Sequence, residues 1–197
     1  MTLDSPLTPE LPARREALRP AWRRLLPVLL IVAVAWFGVH WLLRNEDRPQ
    51  MIGDPVPPVQ LATFDGELID LAALRGQGVM VNFWASWCAP CRAEAELLEA
   101  AWRTEQQLSP SSRVHFIGVN HQDTRPAAKA FLAEFAVTYP NGPDVDNQWS
   151  RQFGVSGLPT TFFIRPDGTI EAVVLGPLVD ARTLARRLDA IRLRVAP

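Results

Sequence analysis

The chain has 197 residues, 48% of them apolar, and a formal net charge of -1, which suits one globular domain with an appendage and excludes a disordered polar chain. A nucleic-acid binder would carry a basic stripe, but the arginine cluster here precedes a hydrophobic run, so nucleic acid is set aside. The two cysteines are spaced Cys-x-x-Cys, which leaves no thiol for a long-range structural disulfide.

Residues 1–24 combine four prolines with several charges and no apolar period, and read as a short disordered cytoplasmic tail. Leu25 to Leu43 then contains no Asp, Glu, Lys or Arg. As a helix these residues would extend roughly 28 Å, close to the hydrocarbon thickness of a bilayer. Arg14, Arg15, Arg19, Arg23 and Arg24 precede the run, and Arg44 and Arg48 follow it. The positive-inside rule therefore places the N-terminus in the cytoplasm and everything after residue 43 outside. Trp22 and Trp41 sit near the two ends, where interfacial aromatics belong. The rival is a cleaved signal peptide, since Ala33-Val34-Ala35 has the small-x-small form of a cleavage site. Against it, the apolar run continues to Leu43. Residues 44–52 form a polar, proline-containing linker, and the globular domain is expected over 53–197.

Within that domain Val59 to Phe64 and Glu67 to Asp70 flank Asp65-Gly66, a hairpin signal. Val79 to Trp84 and Val114 to Asn120 are short apolar runs of the kind buried on both faces of a sheet. Between them a helical pattern runs from about Ala89 to Leu108, with Leu97, Leu98, Ala101 and Trp102 on one face, so the three make a βαβ unit. A helix is expected at Pro126 to Phe135, started by Thr124, and a shorter one near Asn147 to Phe153. Thr161 to Ile164 and Ile170 to Gly176 read as a final hairpin around Pro166-Asp167-Gly168. The last helix, Asp180 to about Leu193, has an acidic cap and an apolar face at Leu184, Leu188 and Ile191. The class is α/β, a mixed sheet covered by helices.

The chemistry is expected at Trp84-Ala85-Ser86-Trp87-Cys88-Ala89-Pro90-Cys91, where a buried strand gives way to a loop and then a helix. A helix N-terminus favours a thiolate, and only the thiolate attacks disulfides. Cys88 is therefore the expected nucleophile, and Cys91, one turn on, the resolving thiol. Pro90 fits the first turn. Zinc would need two further ligands, and His40 and His115 belong to other segments, which leaves His121 alone. Two thiols and one histidine can hold copper, so that reading stays open.

The stretches VNFWASWCAPCRAE and FGVSGLPTTFFIRPDGTI, with the opening IGDPVPPVQLATFDGELIDLAALRG, resemble the membrane-anchored thioredoxin-like proteins of the TlpA, ResA and CcmG type. The likeness covers residues 52–197. It implies a thioredoxin-like fold with an N-terminal β-hairpin extension, extracytoplasmic disulfide reduction and a part in cytochrome c maturation, with apocytochrome c as leading substrate. It also implies a membrane thiol-transfer protein of the DsbD or CcdA type as electron donor, with no cofactor beyond the cysteine pair. By the same resemblance Pro159 is a cis-proline that sets the Leu158 backbone beside the cysteines to pair with bound peptide, and Trp87 touches substrate. Glu94 matches an acidic residue that takes and returns the Cys91 proton in such proteins; on its own it reads equally as an exposed residue near a helix N-terminus. Asn82 stands where thioredoxin proper has a buried Asp, and Glu96 where many relatives have a proline. Ala85 occupies the place of the peroxiredoxin Thr, which makes peroxide chemistry a weak alternative. A DsbA-like oxidase and a copper-site maturation role also stay open.

Overall fold

The computed structural model describes residues 27–37 and 52–192, which belong to two separate units. Residues 27–37 form helix α1, with every residue exposed. The expected span Leu25–Leu43 runs past both ends of α1. Its remaining residues, the tail 1–24 and linker residues 44–51 lie outside the described residues, as do residues 193–197. Among the described residues no helix is long and apolar enough to cross a membrane.

In the second unit β1 (Gln60–Ala62) and β2 (Leu68–Asp70) form an antiparallel hairpin with Leu61 opposite Ile69. Gly66 in its turn has φ +90°, which glycine adopts without a Cβ penalty. Strand β3 (Val79–Trp84), helix α2 (Ala89–Gln106) and β4 (His115–Asn120) form the expected βαβ unit, with β3 and β4 parallel. Helix α3 (Arg125–Glu134), capped by Thr124, leads to β5 (Asn141–Pro143), and the short α4 (Gln148–Phe153) follows. Strands β6 (Thr160–Ile164) and β7 (Ile170–Leu175) form the second hairpin, and α5 (Ala181–Ile191), capped by Asp180, ends the domain. The main sheet has the order β5-β4-β3-β6-β7 and is mixed, β6 lying antiparallel to β3. This is a thioredoxin-like arrangement.

Strand β5 has no periodic apolar signal, and its three residues, Asn-Gly-Pro, are poor strand formers. It forms because two glycines, one on β4 and one of its own, lack a Cβ. Gly118 of β4 leaves room for the Asn141 side chain, and Gly142 lies so close to Ala62 that a Cβ would come within 2.5 Å of the Ala62 carbonyl oxygen.

The period-two alternation of β3 assigns each residue to one of two cores. Val79, Val81 and Phe83 join Leu61, Trp149, Phe153 and Phe162 on the side of the first hairpin and α4. Met80 points to the other side, into a core with Leu98 of α2 and Leu184, Leu188 and Ile191 of α5. Asn82 and Trp84 have the same parity as Met80, so β3 directs one buried amide at α2 in an otherwise apolar row.

Candidate active site

The loop between β3 and α2 is tied down before the cysteines begin. Asp123, just beyond β4, accepts hydrogen bonds from the Ser86 N–H (2.6 Å), the Ser86 hydroxyl (3.0 Å), Asn120 Nδ2 (3.0 Å) and the Thr124 N–H (2.8 Å). Burial works to raise the pKa of this carboxyl, but these bonds outweigh it and hold Asp123 below the usual range. Trp87 Nε1 donates to the Gln122 carbonyl at 3.0 Å. Gln122 itself has φ +46°, a left-handed conformation that a non-glycine residue adopts at some cost. Both contacts join the segment before Cys88 to the segment after β4.

Cys88 is the N-cap of α2, with extended backbone, and its Sγ accepts from the Cys91 N–H at 3.2 Å. That donor is one of the orphan N–H groups of a helix start, and it favours negative charge on the same sulfur once the disulfide opens. Pro90 lies in the first turn, where its missing N–H leaves no partner unsatisfied. Cys88 and Cys91 are joined in a disulfide. They pack among Phe64, Trp84, Ala85, Ala95, Ala128 and Phe131. Trp84 stacks on Phe131 with ring centroids 4.4 Å apart, and its Nε1 donates to Asn141 Oδ1 at 2.8 Å. Trp87, by contrast, is 62% exposed.

Glu94, one turn after Cys91 on α2, is 1% exposed, which overturns the exposed reading. Its Oε1 accepts from Asn82 Nδ2 at 2.8 Å, and its Oε2 from the Leu178 N–H at 2.7 Å. Asn82 Nδ2 also donates to Thr161 Oγ1 at 3.0 Å. Burial raises the Glu94 pKa to about 7, against these two hydrogen bonds, which pull it down. The carboxyl is thus placed to exchange a proton near neutral pH. Glu96 is exposed, and α2 continues through it.

An open cavity of about 610 Å³ lies over the pair, lined by Trp87, Cys88, Pro90, His121, Gln122 and Leu158 among others. Cys91 does not line it, and both cysteines are buried. The Leu158–Pro159 peptide bond is cis. Leu158 faces the cavity, whereas Pro159 is buried and its carbonyl accepts from the Gly176 N–H at 2.9 Å. A second cavity of about 620 Å³ lies between α2 and α5. Size does not distinguish the two; the cysteine does.

The structure thus brings Cys88, Trp87 and Leu158 onto one cavity, with Cys91 and Glu94 buried on α2. Sequence reasoning misses Asp123, Asp144 and Thr161 as partners of this site and gives His121 only a metal role. A usable signal is present. Ligands and reacting groups gather beyond the carboxyl ends of parallel strands, and Asn120-His121-Gln122-Asp123 follows the buried run of β4.

A disulfide-forming Cys-x-x-Cys pair at the head of a helix, set on a thioredoxin-like sheet, defines a thiol-disulfide oxidoreductase. The family model described as AhpC/TSA family matches residues 52–173. The chain is 30% identical over 155 residues to thiol-disulfide oxidoreductase ResA of Oceanobacillus iheyensis, covering 77% of this chain and 79% of that protein. It is 35% identical over 159 residues to thiol:disulfide interchange protein DsbE of Pseudomonas fluorescens, covering 79% and 85%. Among solved structures, a thiol:disulfide interchange protein of the thioredoxin family from Chlorobium tepidum superposes with a TM-score of 0.62 at 27% identity, over 73% of this chain and 97% of that one. The chain belongs to the AhpC/TSA family, and within it to the thiol-disulfide oxidoreductases of the ResA and DsbE type.

Proposed function

We propose that this protein is an extracytoplasmic protein-disulfide reductase, held at the inner membrane by Leu25–Leu43 with residues 1–24 inside and domain 53–197 in the periplasm. The anchor reading rests on the uncharged apolar run and the arginines before it. The observation that carries the chemistry is the asymmetry of the pair: Cys88, the N-cap of α2, lines the cavity and Cys91 does not. Cys88 thiolate attacks a substrate disulfide and forms a mixed disulfide. Cys91 then loses its proton to Glu94, attacks Cys88 Sγ and releases the second substrate thiol, so the substrate gains the two electrons that the pair loses. Leu158 and Trp87 hold the substrate chain, and Pro159 fixes Leu158.

The resemblance to the ResA and CcmG type makes apocytochrome c, with its Cys-x-x-Cys-His haem site, the leading substrate. A membrane thiol-transfer protein of the DsbD or CcdA type restores the dithiol. The test is a Cys91→Ala trap in cells, with the adduct on Cys88 identified by mass spectrometry. Exported Cys-x-x-Cys-His proteins are the expected adducts; a set without them refutes the substrate assignment. A reduction potential near that of DsbA, about -120 mV, would refute the reductase direction.

A copper-binding module is the second reading, favoured by His121 lining the cavity with Cys88. Tight copper binding lost in His121→Ala, with no reductase activity in the wild type, would establish it.

A further inference from the structure

Resting on the reductase reading, we propose that His121 is a further catalytic residue, an acid on the cavity wall that serves the leaving sulfur of the substrate disulfide. When the Cys88 thiolate attacks, the new Sγ–S bond forms in line with the breaking one, and the electron pair leaves on the far substrate sulfur. That sulfur stands two S–S bond lengths from Cys88 Sγ, about 4 Å, and is therefore out in the cavity. Glu94 is buried on α2 with both oxygens engaged by Asn82 and Leu178, and it does not line the cavity. Among the described residues that line the cavity, the titratable side chains are Cys88 and His121.

His121 is also held as a positioned acid would be. Its N–H donates to the Trp84 carbonyl at 2.8 Å, which fixes the backbone against the end of β3. Its Nδ1 lies 3.4 Å from Asp144 Oδ2. The Asp144 side chain is fully buried and immobilised by the Trp149 N–H on Oδ1 (2.8 Å) and the Ser150 N–H on Oδ2 (3.0 Å). A carboxylate beside Nδ1 orients the ring of a residue that lines the cavity. Asp123, two residues on, is turned away to Ser86, Asn120 and Thr124. An imidazole oriented by a buried carboxylate thus shares the cavity with the nucleophile, and here the imidazole serves the leaving group.

The step balances. The Cys88–substrate bond forms, the substrate disulfide breaks, and the departing thiolate takes the Nε2 proton of His121 to become a thiol. His121 regains a proton from solvent, and Cys91 later closes the internal disulfide.

The experiment compares two disulfides of different leaving group, using the reduced full-length protein in mild detergent. Oxidised glutathione releases a basic alkyl thiolate; 5,5′-dithiobis(2-nitrobenzoate) releases an acidic aromatic thiolate that needs no proton. His121→Gln is expected to slow first-turnover attack on oxidised glutathione by about a hundredfold, the low side of what a positioned acid contributes, with less than a twofold change for the aromatic disulfide. Added imidazole should restore part of the lost rate in His121→Ala with oxidised glutathione alone. Equal losses with both disulfides, the mark of a structural role, or no loss with either overturn the inference. A wild-type protein that reduces neither disulfide overturns the reductase reading itself, so the two failures are separable.

Discussion

Replacing Glu94 by Gln removes one ionisation from the interior, and its effect on stability can be worked from the burial of this side chain. Glu94 carries a pKa of about 7 when folded, against an ordinary 4.5. Between those values the unfolded chain has released the proton while the folded protein keeps it, so stability is highest below the unfolded pKa and falls as pH rises through about 7. Each unit of difference is about 1.4 kcal/mol, and integrating from pH 5 to pH 8 gives a loss of about 2.5 kcal/mol from this group. In Glu94→Gln the amide N–H₂ must oppose either Asn82 Nδ2 or the Leu178 N–H, both donors, at a cost of about 1–3 kcal/mol that does not vary with pH. Urea unfolding of the oxidised protein at pH 5 and pH 8 separates the two effects. The wild type should lose about 2.5 kcal/mol more than the variant across that interval, so the variant is weaker at pH 5 and matches or exceeds the wild type at pH 8. Parallel pH profiles for the two proteins would refute a buried carboxyl that ionises near neutrality.

Asp123→Ala leaves the Ser86 N–H and Asn120 Nδ2 without their acceptor and should cost about 2–3 kcal/mol, measured by thermal or urea unfolding. It should also slow attack by Cys88 on any disulfide, because the loop before the cysteine loses its tie to β4; an unchanged rate would detach Asp123 from the site. Gly118→Ala would place a Cβ 1.7 Å from Asn141 Oδ1, the acceptor of Trp84 Nε1. We expect a loss of about 2–3 kcal/mol, accompanied by a shift in tryptophan fluorescence as the indole loses its partner.

The two cysteines, their order along the helix and the strand before them were legible because each rests on local rules. A helix start fixes which residues can cap, a proline is tolerated only in the first turn, and a spacing of three returns to the same helix face. The β3 and β4 runs, the Thr124 and Asp180 caps and both hairpin turns followed from the same local chemistry, and the fold class from their alternation. The resemblance supplied the cis bond at Pro159, which local sequence cannot choose.

Other features depended on which residues meet through space. Strand β5 has no pattern of its own and exists because Gly118 makes room for the Asn141 side chain and Gly142 lets the Ala62 backbone approach. Glu94 reads in sequence equally as a solvated helix residue and as a proton carrier for Cys91. Only the alternation of β3, which turns Asn82 towards α2, and the Leu178 N–H beyond β7 make it a buried carboxyl near neutral pH. His121 acquires Asp144 as its partner from 23 positions along the chain, a separation that no periodicity encodes. Sequence alone determined the cysteine pair and the helix that it heads. The surroundings of that pair were decided by tertiary structure, because desolvation and hydrogen bonding are properties of the packed neighbourhood, to which distant segments each contribute one group.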